Sequence, residues 1–416
     1  MSFGDCSDDE NLRAAWKGFC HRLEKAGDQV FKDLNSATPL QRADGFRYLT
    51  QNLGQAFDLA LETKNTQFPV IHAFCTPFCK LGGDNADFVY QQSWIDGNSA
   101  YKISGNKGTA RFLNFAVQGP RPEMMSGTNN RSLHEPFGDI PETNLFGHQL
   151  KTSWDGSFEL YIGGPERSPN WLPTTPNSRK LFIRQGFDSW SELPVRMRIE
   201  RIGMAEPRPM PTPNELITAM EWAGNFVSGF MQDKPDWTYA YAKEVDPNNL
   251  NNFPGVRRDT GNTTYNIDLD KKRGRASSVM CWRLAPDEAL IIEFDHSDVF
   301  WMMTNMGVFF TSMDYLYRPV SYTPSRTKVD PDGKIRLVLA HDDPGFHNWI
   351  DTQGFELGHL ANRNMLSDHI TDFRTRVVKR SELAAAMPVG SARISPDERA
   401  TQLRQRYHAI LQRYCL

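Results

Sequence analysis

Two antiparallel β-sandwich domains, jelly-roll-like and braced by helices at the N-terminus, the middle and the C-terminus, are predicted by three observations on this sequence. The first is a phrase that occurs twice. Asp155-Gly156 opens the alternating run Ser157-Phe158-Glu159-Leu160-Tyr161-Ile162, and after a Pro-bearing loop comes Asn170-Trp171-Leu172-Pro173-Thr174. Asp332-Gly333 opens Lys334-Ile335-Arg336-Leu337-Val338-Leu339, and after a loop one residue longer comes Asn348-Trp349-Ile350-Asp351-Thr352. The second observation is period-two alternation, which sets apolar residues on one face of a strand. The third is that helical spacing is confined to a few places between and outside the strand-rich stretches, as in β-rich folds rather than alternating βαβ units.

The elements follow in order. Leu12, Trp16, Phe19, Leu23, Val30 and Leu34 recur at three-to-four spacing and predict a helix over 10–34. Thr38-Pro39-Leu40-Gln41 opens a second helix, with Thr38 able to cap free N–H groups and Pro39 suited to the first turn. From Phe68 to Gly203 the period is two, with strands predicted at 110–117, 180–184 and 195–202. Pro207-Arg208-Pro209-Met210-Pro211 marks a linker, and Thr212-Pro213-Asn214-Glu215 is a capping box opening a helix with Leu216, Met220, Ala223, Phe226 and Phe230 inward. The polar stretch 233–264 reads as a surface loop. Strands follow at 289–294, 308–317 and 335–339, and Ser395-Pro396-Asp397-Glu398 caps a last helix with Leu403, Tyr407 and Ile410 on one face. The resulting division is a helical segment 1–66, a first sandwich 67–205, a linker with central helix 206–276, a second sandwich 277–380 and a helical segment 381–416.

Composition excludes several classes. The 416 residues carry a formal net charge of only -3, so no basic stripe points to nucleic acid. No apolar run reaches the length of a membrane span. The polar start, Met1 to Glu10, lacks a secretory signal, and the sparse cysteines read as reduced thiols; both predict a cytoplasmic protein. Ten Trp within a 12% aromatic content can line pockets as well as fill cores.

The candidate chemistry centres on His341-Asp342-Asp343-Pro344-Gly345-Phe346-His347-Asn348-Trp349. Imidazole and carboxylate exchange protons near neutrality and can ligate a divalent metal, so His341, Asp343 and His347 are candidate catalytic residues. The spacing is not diagnostic of any metal, and the alternative is a turn capped by Asp343 with solvated histidines, the commoner fate of short polar loops. The first copy of the loop has no His. The shared Asn and Trp therefore read as an anchor, and any chemistry belongs to residues that differ between copies. His296, in Asp295-His296-Ser297-Asp298, joins the set if neighbouring strands bring it close. Asn348, Trp349 and Trp301 would wall a substrate site, and Arg184 and Arg318 would clamp an acidic ligand or form internal ion pairs. Gly82-Gly83-Asp84-Asn85-Ala86-Asp87 offers oxygens to a cation or sugar, or else simply caps a turn.

At these residues the chain resembles a bacterial family, the domain of unknown function numbered twelve-fourteen, often found with a companion numbered twelve-fifty-four. The likeness lies in Gly82 to Asp87, Ile103-Ser104-Gly105 to Gly108-Thr109, Asn170-Trp171-Leu172 and Asp343 to Thr352, and spans most of residues 38–365. The resemblance implies a β-sandwich with helices and a setting in lipid, steroid or aromatic catabolism. It supplies no catalytic residue set, and many relatives are exported. Two expectations follow: a cytosolic hydrolase or lyase acting on a small hydrophobic molecule, or a non-catalytic carbohydrate- or lipid-binding sandwich. A third, structural reading makes the terminal helices the interface of a homo-oligomer.

Overall fold

The computed structural model describes residues 7–32, 38–120, 139–204, 207–244, 250–253 and 274–415, with backbone alone over 233–244. Helix α1 is Asp9–Asp28 and α2 is Pro39–Phe57. The predicted cap of α2 is present, with the Gln41 amide donating to Thr38 Oγ1 at 3.2 Å. Strands β1 to β9 follow: His72–Cys75, Phe88–Trp94, Tyr101–Asn106, Phe112–Gly119, Ile140–Phe146, Ser157–Ile162, Trp171–Leu172, Lys180–Gly186 and Arg196–Arg201. Helix α3 is Pro213–Glu244, so the predicted loop from 233 is helical through Glu244 and the rest of it, apart from 250–253, lies outside the described residues.

Strands β10 to β17 are Arg275–Arg283, Glu288–Asp295, Phe300–Met306, Ser321–Tyr322, Lys334–Ala340, Trp349–Asp351, Leu357–Met365 and Arg374–Lys379. Helix α4 is Leu383–Ala386, and α5 is Pro396–Tyr414 with both halves of its Ser395/Glu398 capping box formed. The predicted strand 308–317 is instead an irregular loop. Its apolar residues (Phe309, Phe310, Met313 and Tyr315 are all buried) reflect packing, while the ladder positions go to Phe300–Met306. Burial and strand pairing leave the same apolar imprint on a short run.

The two halves share one topology. The first has sheets β1-β2-β8-β4-β5 and β7-β6-β3-β9; the second has β10-β16-β12-β13 and β15-β14-β11-β17. Apart from β1 the orders correspond strand for strand. Pairing is antiparallel throughout except for β6–β7 and β14–β15, which are parallel in both copies. Gly156 and Gly333 sit at the same turn with φ of 81° and 80°, the left-handed region that glycine enters without strain. The turn closes locally as expected, but the strand it launches pairs with the distant β3 or β11 rather than with a hairpin partner.

Each sandwich has its own core. Ile103, Phe115, Phe158, Leu160, Leu181 and Ile183 fill the first, and Trp282, Ile292, Trp301, Met303, Leu337 and Leu360 the second. A third apolar cluster joins the outer faces of the β2-β8-β4 and β16-β12 strands to α1, α2 and α3 through Phe88, Phe112, Met302, Phe19, Tyr48 and Phe226. The sheets approach closely at Gly186, where a Cβ would meet Met302 Cε at 2.9 Å. The chain is thus two like sandwiches packed across these faces and capped by helices. None of the described helices is long and apolar enough to cross a membrane.

Candidate functional site

The predicted loop is built into the fold more tightly than its composition suggests. His341 directs Nε2 to the Ala285 carbonyl at 3.1 Å and Nδ1 to Thr352 Oγ1 at 2.7 Å. A carbonyl can only accept, so Nε2 carries the proton and both ring nitrogens are engaged. Asp343 receives the Arg399 guanidinium at 3.0 and 3.3 Å and caps the Gly345 amide at 2.9 Å. His347 directs Nδ1 to Asn348 Oδ1 at 3.0 Å, and burial, chiefly, lowers its pKa. Its carbonyl accepts from Tyr322 Oη at 2.7 Å and from Arg399 at 3.2 Å. The loop is the seat on which α5 docks.

Asn348 and Trp349 behave as the anchor reading expects. Asn348 Nδ2 donates to the carbonyls of Lys328 and Arg336 at 2.7 and 3.0 Å, and Oδ1 accepts the Lys328 amide at 2.9 Å. Asn170 makes the same three bonds to Lys151 and Glu159, at 2.9, 2.8 and 2.8 Å. The indoles donate to equivalent carbonyls, Trp171 to Gly163 and Trp349 to Ala340. The two indoles are therefore at equivalent positions of duplicated units, and Trp349 is packed rather than presented to a ligand.

The remaining candidates fall elsewhere in the fold. His296 does not join the loop: β11 and β14 are neighbours, but antiparallel register pairs Ala289 with Ala340 and Asp295 with Lys334. The six-residue run between those two pairs alone spans about 20 Å, and His296 and His341 lie one residue beyond its opposite ends, so they are further apart still. Trp301 is 2% exposed inside the second core, edge-on to Phe294 at 5.1 Å, and walls no open site. Among the described residues no group of three His, Cys, Asp or Glu converges as metal ligands. Arg184, by contrast, lies buried between the sandwiches with Nη2 on Asn114 Oδ1 at 3.1 Å.

Arg318 falls in a different place, an open cleft of about 270 Å³ between α2 and the 307–318 loop. Asp44, Arg47 and Gln51 enter from α2, Lys80 from the segment before Gly82, and Asp314, Arg318, Gln353 and Phe355 from the second sandwich. Arg318 is ion-paired to the buried Asp351 at 2.8 Å. Lys80 Nζ donates to the carbonyls of Ser312 and Met313 at 2.7 and 2.5 Å and lies 4.8 Å from the Tyr315 ring centre. Burial lowers the Lys80 pKa to about 8, against the pull of Asp84. Burial raises the Asp44 carboxyl, against the pull of Lys80. Groups perturbed by burial and a charged neighbour in one cleft mark a candidate site. Sequence reasoning missed Asp44, Arg47 and Lys80 because the cleft joins α2 to Lys80 and to the 307–318 loop, which lie far apart in the chain; two glycines beyond Lys80 were the one local signal.

A second cleft, of about 450 Å³, brings Cys79 near His72 and Asp58. Burial pushes the Cys79 thiol up to about 12, and Sγ donates to the Gln51 carbonyl at 3.0 Å, so it rests as a thiol rather than a nucleophilic thiolate.

The most perturbed histidine is one that sequence reasoning passed over. His359 is 1% exposed on β16, and burial lowers its pKa to about 4, against a hydrogen bond at Gly307 O. Its folded pKa is below the unfolded value near 6.5, so the unfolded chain binds the extra proton and stability falls as pH drops from 6.5 toward 4. The expected slope from this group is about 1.4 kcal/mol per pH unit in that window. Urea unfolding at stepped pH checks this: His359→Gln should flatten the slope relative to the parent, and parallel curves would remove the assignment.

None of the curated proteins compared matches the chain. The fold is similar to that of an uncharacterized protein from Burkholderia cenocepacia, at 28% identity and a TM-score of 0.78, covering 89% of this chain and 99% of that one. A second structure, a protein from Vibrio parahaemolyticus, aligns over 86% of this chain and all of its own length at 12% identity and a TM-score of 0.44. A family model matches residues 89–185, from β2 to β8 in the first sandwich, a narrower span than expected and one that leaves out the 343–352 phrase. The resemblance read from the sequence is thereby shown: over that stretch the chain matches DUF1214, a family described as a protein of unknown function.

Proposed function

We propose that this chain is a ligand-binding protein whose cleft beside α2 takes a small, hydroxyl-rich molecule of the sugar class. The observation that carries the reading is the mixed lining of the cleft. Asp44 and Asp314 stand among Arg47, Lys80 and Arg318, with an aromatic wall at Phe355. Sugar hydroxyls both donate and accept, so they pair with carboxylates and cations placed alternately, while the C–H face of the ring lies on an aromatic surface. The loop residues 341–347 add to this reading by being engaged elsewhere, since His341, Asp343 and His347 all serve internal contacts.

The test is calorimetric titration with mono- and disaccharides. Asp314→Asn keeps the acceptor oxygen that caps the amides of Leu316 and Tyr317 but removes the charge. We expect saturable binding by the parent and affinity weaker by about tenfold or more in the variant. Absence of sugar binding, or equal affinity in both proteins, would overturn the proposal.

One observation favours a second reading, a hydrolase or lyase. An amine held near pKa 8 and a carboxyl raised by burial share the cleft, the pairing that general acid–base catalysis uses. Product analysis by mass spectrometry after incubation with a bound sugar or a lipid or aromatic ester separates the two, since a binding protein returns the ligand intact.

A further inference from the structure

A third cleft, of about 310 Å³, opens where the first turns of α3 face the short helix Asp58–Glu62 and the Pro-rich linker. It shares no lining residue with the cleft beside α2. Its volume falls within the range of small-molecule sites, roughly 300–1,000 Å³. Glu215, Ala219 and Trp222 stand four and three apart on α3, so one face of that helix supplies them. Leu61 and Lys64 come from the end of the short helix and just beyond it, and Arg208 and Met210 from the linker.

The lining divides into an apolar part and a cationic part. Leu61, Ala219 and Trp222 are apolar, and Trp222 is stacked on Phe226 with ring centres 5.1 Å apart, so its indole is a fixed wall. Met210 borders the same space and is 86% exposed, which leaves its thioether able to pack on a ring placed there. Lys64 Nζ lies 5.1 Å from the ring centre of Trp94 and 5.2 Å from that of Trp222. Two ring faces attract the one ammonium and hold its charge at the cleft wall. Arg208 Nη1 donates to the Glu62 carbonyl at 3.0 Å, which ties the second cation to the same wall. Among the described residues of the lining, the one carboxylate is Glu215. It is spent on the helix cap, accepting from the Thr212 amide at 2.7 Å and the Thr212 hydroxyl at 2.9 Å.

We infer that this cleft binds a small aromatic carboxylate. The carboxylate would meet Lys64 and Arg208, and the ring would lie among Leu61, Met210 and Trp222. Two cations against one engaged carboxylate favour an anion, while the apolar lining favours a ring over a polyol or a bare ion. The site stands apart from the proposed sugar cleft and does not rest on it.

The experiment titrates the full-length protein calorimetrically with benzoate, its uncharged isostere benzamide, and inorganic phosphate. Benzoate is expected to bind saturably, and benzamide about tenfold or more weaker. Lys64 and Arg208 are both exposed, so Lys64→Gln and Arg208→Gln should fold, and each should weaken benzoate about three- to tenfold. Lys151→Gln removes an exposed charge on the first sandwich and should leave benzoate affinity unchanged. Absence of benzoate binding, equal affinity for benzamide, parental affinity in either cleft variant, a matching loss in Lys151→Gln, or displacement of benzoate by equimolar phosphate would each overturn the proposal.

Discussion

Asp87→Ala is expected to cost about 3–5 kcal/mol of folding free energy and to free the C-terminal helix. Asp87 is fully buried, with Arg326 Nη2 at 2.6 Å and Arg413 Nη1 at 3.6 Å. Burial alone would raise its carboxyl, but Arg326, Arg413 and Arg406 together hold it below the ordinary 3.8. Its contribution is therefore complete at neutral pH and is lost only as pH falls through that lowered value. The cations around it are strained in the opposite sense, with burial pulling Arg406 to about 9 and Arg413 to about 10. They also crowd one ring: Arg326, Arg406 and Arg413 lie 4.1, 4.9 and 5.2 Å from the Trp190 centre. Without the carboxylate, these buried charges face one another with nothing between them. Helix α5 would give way first, because Arg406 and Arg413 belong to it. Urea unfolding followed by circular dichroism measures the cost, and limited proteolysis within 396–415 detects release. Asp87→Asn keeps the shape without the charge and should fall with it. A loss under about 1 kcal/mol in both variants would mean that the helix is held by apolar contacts alone.

That network explains what the sequence concealed. Arg399, Arg406 and Arg413 stand seven apart on one face of α5, and each is at most 5% exposed. Sequence reasoning takes no account of the arginines and places Leu403, Tyr407 and Ile410 on one face. Of these only Ile410 is fully buried, and it enters the second core of its own chain, so this face of the helix is spent within the chain. Arginine stems pack like apolar chains, and the charge reveals its place only once Asp87 and Asp343 are brought in from far along the sequence. The Gly82 to Asp87 phrase was visible as unusual for the same reason, though its oxygens serve Ser312 and the arginines rather than a turn cap alone. Sandwich class and capping boxes were legible because they rest on period, glycine and short-range bonds. The cleft at Lys80 was not, since it is assembled from three distant segments, and the internal contacts of the His341 loop were not, since its partners Ala285 and Arg399 lie far along the chain.

The duplicated asparagine gives the sharpest energetic test of the repeat. Asn170→Ala and Asn348→Ala each remove two donated bonds and one bond accepted from a backbone amide, leaving two carbonyls and an amide without that side chain, and Asn348→Ala removes in addition the contact from His347 Nδ1. An unmet buried polar group costs about 1–3 kcal/mol, and partial relaxation puts each variant at about 2–4 kcal/mol below the parent. Both asparagines are nearly inaccessible, at 3% and 6%, so water cannot readily replace the lost bonds in either copy. Because the partners are the same backbone atoms of equivalent residues, the two losses should agree within about 1 kcal/mol. The asparagines belong to separate sandwiches and share no partner, so the double variant should lose the sum of the two. Differential scanning calorimetry and urea titration of the three variants read all of this directly. A silent substitution in one sandwich beside a severe one in the other would mean that the copies kept the geometry of the anchor but not its role in stability, and the symmetry seen in the hydrogen bonds would then be inherited form alone.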